Sequence, residues 1–218
     1  MRKYYIDNIR YFTIIIVVLF HLIYMYNGQS IPGVLGPFYQ NQFQDIIQYI
    51  VYPWIMIILF IISGITSNLY LRISNNFIID KTNKILVSST LGLLVYGWAQ
   101  GYYNMLINDS FSKMPPNLNI FFLYLIICIS GTGVLWFNHL LWIYSILLIL
   151  IVKFEKNIIH NFFNNINFIT LLILGFDLWL SAKVLNPPIL IGYRFGIYFY
   201  SYLIGYFVFS HETNIKYI

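Results

Sequence analysis

Long apolar runs alternate along this chain with short stretches that are polar, rich in Gly and Pro, or basic. A helix needs about 20 predominantly apolar residues to cross a hydrocarbon core of ~30 Å. The runs at 11–27, 46–71, 85–107, 135–152, 166–182 and 189–209 read on that criterion as six spans. The run at 120–130 is too short to cross, and Gly131-Thr132-Gly133 interrupts it, so it reads as a re-entrant or interfacial segment. Were it to cross, the count would be seven. The expected fold is all-α, a polytopic transmembrane helix bundle of six to seven spans forming a single domain over 1–218.

The connecting stretches set the sidedness. Residues 28–44 hold Gly28, Pro32, Gly33, Gly36 and Pro37 among Gln and Asn, a loop composition, whereas 72–84 carries Arg72, Lys81 and Lys84 against Asp80. Cytoplasmic loops are the ones enriched in Lys and Arg. The 72–84 loop, Lys153 and Lys156 therefore belong inside, together with both chain ends, and 28–44 and 108–117 outside. Counting 120–130 as re-entrant is what keeps Lys153 and Lys156 on the inner side. Met1-Arg2-Lys3 opens the first run, but His21 to Asn27 offers no small-x-small cleavage site, so that run reads as an uncleaved span.

Composition agrees. Of 218 residues 60% are hydrophobic and 9% charged, with a mean hydropathy of +0.74, against about 25% charged in soluble domains. The expected location is the cell membrane, with the lipid bilayer as a partner. Tyr4, Tyr5, Tyr52, Trp54, Trp98, Tyr102, Tyr103, Trp136 and Trp142 stand near run ends, as an aromatic belt requires. The net charge of +5 comes from few residues that topology already uses, which argues against a nucleic-acid partner. Cys128 is the single cysteine, so no internal disulfide forms, and in an apolar run it reads as packing. His139, His160 and His211 lie on different segments without ligand spacing, so no metal site is expected. Ser63-Gly64 and the GxxxG of Gly97 to Gly101 read as close helix contacts, as does a second GxxxG from Gly192 to Gly196.

The candidate chemistry sits in the first span. Arg10 opens an apolar run that His21 closes, with ten residues between. In a helix, eleven steps of about 100° return to within ~20° of the start, and the two side chains share one face roughly 16 Å apart. Ionisable groups in a membrane helix cost about 2.5–3.5 kcal/mol on insertion scales and usually face a protein interior or wet cavity. His21 suits a general base or a nucleophilic acyl carrier. Arg10 offers a planar fork that stays protonated, suited to carboxylate, phosphate or thioester oxygen. Asp177 and Arg194, on neighbouring spans, suit an ion pair.

The opening Tyr5-Ile6-Asp7-Asn8-Ile9-Arg10 and the run to His21 resemble the first helix of the acyltransferase 3 family, whose signature is an arginine, ten residues and a histidine. Tyr52-Pro53-Trp54 leading to Phe60-Ile61-Ile62-Ser63-Gly64 continues the resemblance in family order. Phe77, Lys81 and Lys84-Ile85-Leu86-Val87 follow, then Ser130 to Phe137, and last Gly205 to His211. Ser88 stands where the family usually has proline, and the family usually has more spans, so the chain reads as lacking the last helices. The resemblance implies transfer of an acyl group, often acetyl, from cytoplasmic acyl-CoA to a hydroxyl of a carbohydrate or other cell-envelope acceptor. It makes His21 and Arg10 the catalytic candidates, and Lys81 and Lys84 candidates for the CoA phosphates. Acyl-CoA would be a substrate, with no cofactor bound permanently.

Plainer roles suit the same residues: His21 as a wet interface histidine, Arg10 as a snorkelling anchor, and Lys81 and Lys84 as orientation signals. Two rival readings of the chain are a small transporter-like protein whose intramembrane charges line a pathway, and a truncated, catalytically silent acyltransferase homologue.

Overall fold

In a computed structural model the described residues are 4–24, 43–155, 158–164, 167–185 and 194–211. Residues 28–42 of the expected outer loop 28–44, with Lys156, Gly192, Glu212 and Lys216, lie outside them. The architecture is all-α. Helix α1 is Tyr4–Tyr24 and α2 Phe43–Leu71. A helical run from Phe77 to Ile107 comprises α3 (Phe77–Lys81), a π-helical stretch Thr82–Val87, α4 (Ser88–Gly92), a second π stretch Leu93–Gly97, and α5 (Trp98–Ile107). There follow α6 (Ile120–Ser130), α7 (Trp136–Glu155), α8 (Ile158–Phe162), α9 (Phe168–Leu185) and α10 (Phe195–Phe207).

The span count is lower than expected. Among the described residues, four helices are long and apolar enough to cross a membrane: α1, α2 from Asp45, α7 and α9. The expected span 85–107 is divided by the π stretches, whose wider turns break the α-helical register. The expected span 189–209 contributes the 13-residue α10. Hydropathy sees an apolar run; it does not see where the hydrogen-bond pattern changes or a helix begins. Ser88 follows the first π stretch and its N–H donates to the Ile85 carbonyl, a bond the proline usual at this position would forfeit.

The chain forms two compact units, one from Met1–Val18, Val51–Ile78 and Ile143–Ile218, the other from Leu19–Ile50 and Ile79–Trp142. In the first, the core is aromatic. Phe60, Tyr144 and Tyr202 are fully buried, with Phe60 stacked on Tyr198 at 5.0 Å and Tyr144 against Phe195 at 5.0 Å. The buried hydroxyls are paired, Tyr202 donating to Ser67 Oγ at 2.8 Å and Tyr144 to the Phe195 carbonyl at 2.9 Å, as burial of a phenol demands. At the Ser63-Gly64 pair, α2 meets α10 backbone to backbone. A Cβ on Gly64 would lie 2.8 Å from the Tyr206 nitrogen, and one on Gly205 would lie 2.8 Å from the Ile61 carbonyl carbon.

Contacts within this unit order the helix ends. Ile6 near the start of α1 packs with Ile62, Ile65 and Leu69 of α2 and with Phe209 just past α10. Asn68 donates to the Tyr206 carbonyl at 3.3 Å, and Leu171 near the start of α9 packs with Ile204 and Val208. With Val152 and Glu155 lining one cavity with Asn68 and Tyr206, the starts of α1 and α9 and the ends of α2, α7 and α10 gather together.

In the second unit α6 runs parallel to α5. Tyr124 bonds the Leu94 carbonyl, Cys128 neighbours Gly97, and Asn104 donates to the Ser130 carbonyl at 3.2 Å. Phe111 stands 5.5 Å from Tyr102, so 108–119 folds back alongside α5 before α6 emerges in the same direction. The expected GxxxG contact lies between α5 and the end of α6: a Cβ on Gly101 would lie 2.8 Å from the Gly131 nitrogen. Asn119 caps α6 by accepting from the Phe121 N–H at 2.9 Å.

Candidate functional site

Arg10 and His21 lie on one uninterrupted helix, α1. Its span starts earlier than hydropathy suggested, because Asp7 in the first turn complements the helix N-terminus. Arg10 is half-buried, and its Nη2 donates to Thr66 Oγ1 of α2 at 3.2 Å. The Thr66 hydroxyl donates in turn to the Ser63 carbonyl at 3.0 Å. His21 is also half-buried, edge-on to Phe20 at 5.6 Å between ring centres. The boundary between the two compact units falls between Val18 and Leu19, so Arg10 belongs to the first and His21 to the second.

Lys81 closes α3, half-buried, and Lys84 lies exposed in the first π stretch. Trp142 donates to Thr82 Oγ1 between them at 2.9 Å, tying the π stretch to α7. Asp177 and Arg194, expected as a pair, have other partners. Asp177 accepts from the Tyr200 hydroxyl, and the Arg194 guanidinium lies over the Tyr52 ring, 5.2 Å from its centre. A phenol donor and a ring face satisfy the two charges without bringing them together. His139 bonds the carbonyl of Leu135 at 3.0 Å.

One cluster escaped the sequence reading. His160 and His211, assigned to unrelated segments, have ring centres 4.1 Å apart. Arg72 donates to His160 Nε2 at 3.3 Å, and Glu155 accepts from the His160 backbone N–H at 2.9 Å. Because a guanidinium can only donate, Nε2 is the acceptor and the neutral ring carries its proton on Nδ1. That Nδ1, His211 Nε2 and Asn68 Oδ1 are buried without hydrogen-bond partners among the described residues. Burial pushes both imidazoles below their ordinary value, and the nearby Arg72 charge adds to the effect. A cavity of about 290 Å³ opens beside them, lined by Asn68, Arg72, Glu155, His160 and Tyr206. The signal was the late segment Gly205 to His211, which places His211 one turn beyond Phe207, where α2 and α10 end together.

No curated protein and no solved structure matches the chain. Residues 3–216 match the family described as an acyltransferase domain, so the chain belongs to the acyltransferase 3 family.

Proposed function

We propose that the protein, as a single membrane-bound domain, transfers an acyl group such as acetyl from acyl-CoA to a hydroxyl of a carbohydrate or other cell-envelope acceptor. The observation that carries this reading is the Arg10–His21 spacing on an unbroken helix inside a chain matched to the family from residue 3 to 216. His21 takes the proton of the acceptor hydroxyl as its oxygen attacks the thioester carbonyl. The C–O bond forms, the C–S bond breaks, and the sulfur leaves with a proton as free CoA. In a second form of the same chemistry the imidazole is acylated first and then passes the group on. Arg10 holds an oxygen of the donor through its planar fork. Lys81 and Lys84 attract the CoA phosphates by simple charge, which requires the 72–84 loop and both chain ends to face the cytoplasm.

The test is transfer of labelled acetyl from acetyl-CoA to envelope material in cells expressing the chain. Transfer above the vector background is expected, with a large loss in Arg10→Lys, since a point charge cannot reproduce the fork. Background-level transfer by the wild-type chain refutes the proposal.

A further inference from the structure

Arginine reaches its target through a long side chain with several rotatable bonds, so a guanidinium that must present two parallel N–H groups to a substrate oxygen pair has to be held. In this chain the holding group is visible. Thr66 Oγ1 accepts from Arg10 Nη2 at 3.2 Å, while its own hydrogen is committed to the Ser63 carbonyl at 3.0 Å. The threonine hydroxyl therefore has one orientation, with its lone pairs toward Arg10. Ser63 is itself buried, 6% exposed, and adjoins Gly64, where α2 and α10 lie backbone to backbone. The chain of contacts runs from this close helix crossing, through one carbonyl and one hydroxyl, to the guanidinium. Only one of five N–H donors is used by Thr66, which leaves a two-donor edge for a ligand.

We infer that Thr66 is a positioning residue for donor binding: it fixes the plane of the Arg10 guanidinium through the Ser63 carbonyl and the α2–α10 crossing. This rests on the role proposed above for Arg10. Thr66 does not touch the reacting atoms. A merely structural role for the hydroxyl, as glue between α1 and α2, would alter stability and leave the donor's KM alone.

The experiment measures acetyl transfer by the full chain in membranes as a function of acetyl-CoA concentration for wild type, Thr66→Val and Thr66→Ser. Thr66→Val is expected to raise KM for acetyl-CoA by about 2- to 10-fold, the worth of one hydrogen bond, with kcat within about 2-fold. Thr66→Ser, which keeps the hydroxyl, is expected to restore the wild-type KM. In the Arg10→Lys background, Thr66→Val is expected to add nothing, because coupled residues are not additive. An active wild type with an unchanged KM in Thr66→Val, or a Thr66→Ser as impaired as Thr66→Val, overturns the positioning role and leaves the proposed function standing. A wild type without transfer overturns both.

Discussion

The crossing of α2 and α10 at Gly64 and Gly205 makes a quantitative prediction, because a second glycine in the same unit provides the opposite case. A Cβ on Gly205 would lie 2.8 Å from the Ile61 carbonyl carbon and 2.9 Å from its Cα. These are backbone atoms, so relief requires α2 and α10 to move apart rather than a side chain to turn. Overpacking of this kind costs about 1–3 kcal/mol, occasionally more. A Cβ on Gly175 of α9 meets nothing within 4 Å. There the substitution removes glycine's backbone entropy from a helix interior and gains roughly 0.5–1 kcal/mol. For a chain of this size each kcal/mol moves Tm by about 2–4 °C. Gly205→Ala should therefore lower the unfolding temperature in detergent by about 2–12 °C, and Gly175→Ala should hold or slightly raise it. Thermal unfolding followed by intrinsic tryptophan fluorescence gives both numbers. A neutral Gly205→Ala, or a Gly175→Ala that destabilises as much, would refute the close-crossing argument.

Half-buried His160 and buried His211 together predict a pH dependence. Both imidazoles are pushed down by burial, so the folded chain binds fewer protons than the unfolded one near and below the ordinary value of 6.5. Their contribution is fully present above that value and is lost as the pH falls below it. The unfolding temperature should drop between pH 7.5 and about pH 5, and the double variant His160→Gln, His211→Gln should flatten the slope; an unchanged slope contradicts the assignment. Cysteine labelling tests whether α6 is re-entrant. With native Cys128 buried and silent, cysteines at Asn117 and Phe137 should react with an impermeant thiol reagent from the same side, and opposite sides would mean that the segment crosses.

Much of the local packing was legible because it depends on residue size and period. Ser63-Gly64 and Gly97 to Gly101 announced close helix contacts, and both are met, since small side chains are needed wherever backbones approach. The common helix of Arg10 and His21 was legible from spacing alone. The interruptions of the 77–107 run were hidden, because the hydropathy of Thr82–Val87 and Leu93–Gly97 is the same in π as in α geometry. Partner choice was hidden as well. Opposite charge suggested Asp177 with Arg194, but the structure gives Asp177 a phenol and Arg194 a ring face, partners that hydropathy and charge do not rank. His160 and His211 came together through the ends of α2, α7 and α10, a tertiary fact with no signal in spacing. Thr66 was missed for a similar reason: a threonine in an apolar helix carries no mark of the arginine it accepts from.

The central claim is that the imidazole of His21 moves the acyl group or the proton that releases it. It is tested most directly by comparing acetyl transfer from labelled acetyl-CoA in membranes containing wild type and His21→Ala at equal membrane abundance. His21 is half-buried, so its loss should leave the chain inserted. General acid–base assistance contributes about 10²–10⁴-fold, and transfer by His21→Ala should fall by that factor to background. Transfer that survives His21→Ala at the wild-type rate would contradict the account.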